Sequence, residues 1–362
     1  MKTIFSILFV FAYTLSFTQE VISLDGLKWQ LEENAKTEVY KTEECLNTQG
    51  GAAVVNNFRF QNGIIEFSMC IQEGRGFAGV RFHDDGNNNA EEFYIRKHQS
   101  GNPDAMQYTP VYNGNAGWQL YYGDGYSTAK QHKFDEWFKI RLVIAGSKAE
   151  VYIEDMEKPV LVIHELKMGK KEGNVEFYGP ARFANIKITK ADSPELKGTF
   201  KEIVKAGNEV IQSFSVSELI DSQPILTATG IKNDFIKNLK FTNYGTEADG
   251  LINLSQTGTL AEGKNAVLLK IKIKAETEIV KPLTFGFSDA AKVFVNGKAI
   301  WLGVDNYGSR DYRFLGTIGY FDTVYLDLKK GDNEIIIAVA ESFGGWGIKA
   351  KFDNLDGIEI VE

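Results

Sequence analysis

The chain is poor in the residues that most often declare a chemistry. Of its 362 residues only two are cysteine, Cys45 and Cys70, and four are histidine. No CxxC or HExxH spacing occurs, so the sequence gives a zinc centre poor support. Two cysteines do not make a disulfide-dependent scaffold. In an oxidising compartment they could pair; two separate buried thiols is the other reading. No G-x-S-x-G is present, which removes the nucleophile elbow of the α/β hydrolases. Positive charge is also short: 40 Lys and Arg against 48 Asp and Glu leave a net −8. That argues against nucleic acid or an anionic membrane as the main partner. Proline is scarce (7) beside 35 glycines, and neither long helical periodicity nor a fixed-period repeat appears.

Long apolar runs are confined to the beginning. Lys2 precedes an apolar stretch from Ile4 to Phe17, and Thr18-Gln19-Glu20 form a polar exit. A charged start, a short apolar centre and a polar exit read as a secretory signal peptide over residues 1–19. With Gln at the exit, it resembles those of exported proteins of Bacteroidetes-like bacteria. The expectation is an exported protein, periplasmic or secreted, with no membrane insertion, since no other run is long enough to span a bilayer.

What is present is period two. In "WFKIRLVI", Phe138, Ile140, Leu142 and Ile144 alternate with Lys139 and Arg141; the turn "AGSK" then leads into "AEVYIED", a hairpin by pattern. "GNVEFYG" and "ARFANIKITK" read as closing strands. The polar, Pro-containing "ADSPELKG" places a linker at 192–198 between a first domain at 20–191 and a second at 199–362. In the second, "NAVLLKIKIKAE" and "KPLTFGFSD" alternate, a short helix is expected near Val216 to Ile220, and Asn296-Gly297 between apolar runs signals a type I′ hairpin. The fold class expected is all-β: two antiparallel β-sandwich (jelly-roll) domains.

Several motif matches fail on context. "GRGFAG", Gly74 to Gly79, leads into a strand, so no helix N-terminus is available for a pyrophosphate. "GTLAEGKN", Gly258 to Asn265, has Asn where a P-loop needs Ser or Thr. Glu154, Asp155 and Glu157 sit at a turn and point in mixed directions, unlike a glycosidase carboxylate pair across a cleft. "HDDGNNNAEE" is dense in oxygens: Asp84, Asp85, Asn87, Asn89 and Glu91 could wrap a Ca²⁺, and an Asn/Asp/Gly hairpin turn is the favoured alternative. No other cofactor is expected.

The strongest local signal lies in "GVRFH" and "EEFYIRKH". If 78–83 and 93–98 pair across the Asp/Asn turn, Arg81, His83, Tyr94, Arg96 and His98 line one sheet face. The next segment is rich in aromatics, and Tyr108, Tyr112, Trp118 and Tyr122 could wall that face for stacking. A solvated outer face with ordinary charges is the plainer alternative.

At "FYIRKHQSGNPDAMQYTPVYNG", "GWQLYYG", "FDEWFKIRLVI", "AEVYIED" and "ARFANIKI" the first domain resembles secreted bacterial domains of the concanavalin A-like lectin/glucanase superfamily, nearest the laminin-G-like and 3-keto-disaccharide hydrolase-like (DUF1080) group. "KVFVNGKAI" and "LDLKKGDNEIIIAVAESFGGWGIKAKF" are similar to galactose-binding-like jelly rolls. In that loop Phe343 and Trp346 could form a sugar platform or plug the end of the sandwich. The resemblance implies a jelly-roll sandwich whose concave face often holds carbohydrate. Three functions follow. The first is a carbohydrate-binding or accessory protein, with Arg81, His83, Tyr94, Arg96 and His98 as polar contacts. The second is a glycoside-active enzyme, with His83 and His98 as acid–base candidates. The third is a protein-interaction module.

Overall fold

The computed structural model describes residues 21–309 and 315–361. The signal-peptide expectation at 1–19 lies outside the described residues. Alternating sequence becomes two stacked pairs of antiparallel sheets, as expected. In the first sandwich one sheet runs, in spatial order, Val21–Leu24, Leu27–Glu33, Gly51–Val55, Asn174–Tyr178, Phe77–Asp84, Ala90–Arg96 and Met106–Tyr112. The short strands Asn115–Ala116 and Ser127–Thr128 also pair with the last of these. The facing seven-stranded sheet runs Leu161–Ile163, Lys148–Ile153, Phe138–Ala145, Gly63–Ile71, Ala181–Lys190, Glu43–Asn47 and Lys36–Tyr40.

Every second residue of these strands turns into the space between the sheets. Ala78, Val80, Phe82, Phe93 and Ile95 from one sheet meet Ile65, Phe67, Met69, Ile140 and Leu142 from the other. Phe67, Phe177 and Phe183 close the centre edge-on, with ring centroids 5.0–5.7 Å apart. Burying each such side chain contributes about 1.5–3 kcal/mol.

In the second sandwich, six strands lie in the spatial order Phe241–Gly245, Ser213–Ser217, Ala266–Ala275, Gly331–Ala340, Ala290–Val295 and Lys298–Val304, and Ile358–Val361 adds to Ala266–Ala275. The other sheet holds Ile252–Asn253, Gly347–Phe352, Ile279–Ser288 and Asp322–Leu328. Asn296 and Gly297 both have positive φ, as the type I′ turn requires. Trp346 is fully buried, its indole N–H donating to Val339 O at 3.2 Å; it plugs the sandwich.

Residues 213–217 are strand, not helix, because Phe214 and Val216 alternate into the core. The helices come just after, at Ser222–Thr227, whose first turn Asp221 caps through Gln223 N, and at Asn233–Lys237. Between the sandwiches, residues 191–209 form neither strand nor helix. Lys197 N and Gly198 N donate to Glu150, which ties this segment to the first sandwich.

Both cysteines are free and buried. They lie on strands separated by the intervening Ala181–Lys190 strand, and two strand spacings, about 9–10 Å, exceed what a disulfide bridges. Burial pushes the Cys45 thiol up to about 11.

Candidate functional site

The register of the nine-stranded sheet determines which side chains share its outer face. Arg81 lies directly opposite Glu92 on one side and Glu176 on the other. Gly79 lies between Tyr94 and Tyr178, and Phe77 faces Arg96. Continuing outward, Glu176 faces Val54 and Val54 faces Gln30, while Tyr178 faces Ala52 and Ala52 faces Glu32. On the other side Tyr94 faces Gln107 and Glu92 faces Thr109. Across the middle of the sheet this gives one continuous polar and aromatic row.

Arg81 is the hub of that row. Its Nε donates to Glu92 at 2.8 Å and its Nη1 to Glu176 at 3.1 Å. Its guanidinium carbon lies 4.4 Å from the Tyr178 ring centroid, a cation–π arrangement. Tyr178 OH donates to the second oxygen of Glu92 at 2.6 Å. About a third of the Arg81 side chain is exposed, against 5% for Glu92 and 14% for Glu176. Burial opposes the guanidinium's charge, but Glu92, Tyr178 and Glu176 outweigh it and raise its pKa. Burial pushes the Glu176 carboxyl up to about 7 although Arg81 pulls the other way.

The face has an open half and a roofed half. On the strands 27–33, 51–55 and 174–178 its side chains are half-buried, and beside them a cleft of about 310 Å³ is lined by Gln30, Glu32, Asn56, Asp84, Asn174 and Glu176 among others. On the strands 90–96 and 106–112 the face is fully covered. The loop around Trp118 to Tyr121 forms the roof, held by Gln107 Nε2 donating to the carbonyls of Trp118, at 2.8 Å, and of Tyr121. Tyr94 OH in turn donates to Gln107 Oε1 at 3.0 Å. At the lip of the roof Arg96 is paired with Asp104 and lies 4.7 Å from the Trp118 ring centroid and 5.5 Å from that of Phe77.

The second sandwich docks against this same loop. Tyr121 OH donates to Glu247 at 2.5 Å, and Lys167 Nζ meets the other oxygen of Glu247 at 2.6 Å. Gln119 exchanges hydrogen bonds with Gly344, Ser288 and Ile318. Burial raises the Glu247 pKa, with Lys167 and Tyr121 opposing it.

Of the residues expected to form the face, Arg81, Tyr94, Arg96 and Trp118 converge on it, and Tyr122 stands beside it, a third exposed. The others do not share it. His83 leaves the alternation: its φ is +56°, and the facing strand changes register between Asn174 and Glu176. Its ring is buried against Phe60 and Phe82, with Nε2 2.7 Å from Gln61 O. Burial lowers its pKa, and the residue is 1% exposed. His98 falls past the strand end in a 3-10 turn at Lys97–Gln99, edge-on to Phe77, its Nδ1 accepting weakly from Gly76 N.

Tyr108 points into the core, its OH donating to Glu91 at 2.7 Å, and Tyr112, on the same side of its strand, reaches Lys167 O at 3.4 Å. The five oxygen-bearing residues of the turn do not form one ligand set. Asp84 caps Gly86 N, and Asp85 caps Asn87 N and Asn89 N. Glu91 is turned inward, where it accepts from Tyr108 and from Met168 N at 2.8 Å. Among the described residues no group of three or more His, Cys, Asp or Glu is placed to hold a metal ion.

Glu92, Glu176 and Tyr178 were missed. Glu92 was legible, since it alternates with Tyr94 and Arg96. Glu176 and Tyr178 alternate with Val175 and Phe177 in "GNVEFYG", but nothing in the sequence shows that this strand pairs with Phe77–Asp84 some hundred residues earlier.

No family model and no curated protein matches the chain. Among solved structures it is similar to the carbohydrate-binding module CBM66 of Bacillus subtilis, at 15% identity over 44% of this chain and 92% of that one, TM-score 0.34. It is also similar to a Bacillus subtilis protein of unknown function with a galectin-like fold, at 13% identity over 45% of this chain and 89% of that one, TM-score 0.32. A third is the galectin LEC-6 of Caenorhabditis elegans, at 10% identity over 43% of this chain and 96% of that one, TM-score 0.26.

Proposed function

We propose that this is an exported carbohydrate-binding protein whose ligand lies on the open half of the nine-stranded sheet's outer face. The row Glu176–Arg81–Glu92, laid over the Tyr178 ring, carries the reading. Sugars need paired donors and acceptors for vicinal hydroxyls and a flat apolar surface for their C–H faces. A half-open guanidinium flanked by two carboxylates offers the donors and acceptors, and its own planar outer face, stacked on Tyr178, offers the flat surface, held rigid by their mutual bonds. The amide-rich cleft beside it supplies further acceptors and donors.

A second reading, hydrolysis of a glycoside, is favoured by one observation. Glu176 and Glu92 share the Arg81 guanidinium, with burial pushing the Glu176 carboxyl up to about 7, and glycosidases divide acid and base roles between two such carboxyl groups.

Calorimetric titration and a glycan array test the binding reading. Arg81→Ala is expected to weaken binding about tenfold or more, the size of a lost charge-assisted contact. An array on which the full chain binds nothing would overturn it. Release of reducing ends, abolished by Glu176→Gln, would convert the binding protein into an enzyme.

A further inference from the structure

We infer that the ligand is an oligosaccharide of at least two linked sugar units, the first on the Arg81 guanidinium and the second in the amide-lined cleft beside it, with the turn at 84–88 as that cleft's far wall. This rests on the carbohydrate reading above and extends it to the length of ligand selected and to the residues that select it.

The cleft exists because one strand of the open half carries short side chains between neighbours that carry long ones. Ala52 and Val54 of the strand Gly51–Val55 point outward, since Ala53 and Val55 belong to the core. Val54 faces Gln30 on one side and Glu176 on the other, and Ala52 faces Glu32 and Tyr178. The longer side chains rise around this floor, and the space between them is about 310 Å³. Glu176 lines the cleft and also accepts from Arg81, whose side chain is a third exposed. Cleft and guanidinium therefore adjoin on the uncovered part of the sheet. Two strand spacings, about 10 Å, separate Arg81 from Val54, enough for two linked sugar rings.

What the cleft offers is amide. Gln30, Asn56, Asn57 and Asn88 line it, and none of their side-chain amides hydrogen-bonds to a described residue. Gln30 and Asn56 are half-buried. Each amide presents donors beside an acceptor, the pairing that adjacent hydroxyls of a sugar ring need. Asn174, on the floor, differs from these four. Arg59 Nη1 donates to its Oδ1 at 3.0 Å, and its Nδ2 donates to Asp84 Oδ2 at 3.1 Å, so it braces the floor against the wall.

That wall is the turn in "HDDGNNNAEE", whose acidic side chains are taken up by its own backbone. Asp84 Oδ1 accepts from Gly86 N at 3.0 Å, and Asp85 Oδ1 accepts from Asn87 N at 2.7 Å. Asn89 Oδ1 accepts from Asn113 N at 2.9 Å and Asn88 O from Gly114 N at 2.8 Å, which fastens this turn to the next one along the sheet. Asn88 stands at the lip with φ +62°, a left-handed conformation that asparagine tolerates. A wall already fixed before the ligand arrives lowers the ordering cost of binding. The oxygen-rich turn thus acts as the rigid lip of the second subsite.

The test is calorimetry on the full chain with the methyl glycosides of glucose, mannose, galactose and fructose and with their linear oligosaccharides of two to four units, weak ligands being measured by displacement. A disaccharide is expected to bind about tenfold more tightly than the matching methyl glycoside. The double variant Gln30→Ala with Asn56→Ala should remove that gain and leave the methyl glycoside unchanged, as should Val54→Trp, which fills the floor. Arg81→Ala should weaken both ligands. The urea midpoint of the double variant should match wild type, because the two amides make no bond within the described protein. A full disaccharide gain in both cleft variants with Arg81→Ala still impaired, or no gain in the wild type, would overturn this inference and leave the carbohydrate reading standing. Equal weakening of methyl glycoside and disaccharide by the cleft variants would overturn the assignment of the cleft to the second unit. Absence of binding by every sugar would overturn both readings.

Discussion

Replacing Arg81 with Met removes the cation that holds Glu92 and Glu176 while keeping most of the volume over Tyr178. Breaking a fully buried ion pair costs about 3–5 kcal/mol. Because the guanidinium is about a third exposed, solvent screening reduces this, and a loss of about 2–3 kcal/mol is expected near pH 8. The sign of the pH dependence follows from Glu176. Its carboxyl is raised from 4.5 to about 7 in the folded protein, so between those values the native state holds a proton the unfolded chain has released. Its contribution is therefore fully present below pH 4.5 and lost as pH rises through 7. Without Arg81 the folded carboxyl rises further and the slope extends to higher pH. Near pH 5 only the bond to Glu92 is missed, about 1.5 kcal/mol. Urea unfolding of Arg81→Met and wild type at pH 5 and pH 8, followed by intrinsic fluorescence, measures both figures. Adding Glu176→Gln should recover part of the loss at pH 8 and little at pH 5. An equal loss at the two pH values, or none, would refute the view that Arg81 neutralises a covered carboxylate pair.

Two further outcomes follow from the interface and the thiols. Glu247→Ala removes one of the two carboxylates paired with Lys167, whose side chain is 7% exposed and keeps Glu165 at 2.8 Å, and removes the acceptor of Tyr121. A loss of about 1.5 kcal/mol and faster proteolytic cleavage within 191–209 are expected, and an unchanged digestion pattern would show that the sandwiches dock without this contact. Cys45 and Cys70 should resist maleimide in the native protein at neutral pH, since both are fully buried and the Cys45 thiol is held near 11. Both should react after denaturation without any reductant; a requirement for reductant would reveal a disulfide.

Most of the fold was legible because sheets write themselves into sequence at short range. Alternation marked the strands, "AGSK" and Asn296-Gly297 marked turns, and Trp346 sat where an apolar plug was needed. The helix expected at 216–220 failed because Phe214 and Val216 already had a period-two place in the core. At the candidate site, alternation placed Arg81, Tyr94 and Arg96 on one face correctly. It failed at His83, where a register change in the strand opposite turns the ring inward, and at His98, where the strand has ended.

The sequence by itself determined the strands, their turns and the polarity of each face, because side chains one or two residues apart dictate those. Three things were decided only by the tertiary structure. One is that Glu176 and Tyr178 lie against Arg81. Another is that Cys45 and Cys70 are kept apart by an intervening strand. The third is that Phe343 stands beside Trp118 across two domains. Each depends on pairing between segments tens to hundreds of residues apart, which alternation leaves unspecified because any apolar face can pack on any other until the whole sheet order is set.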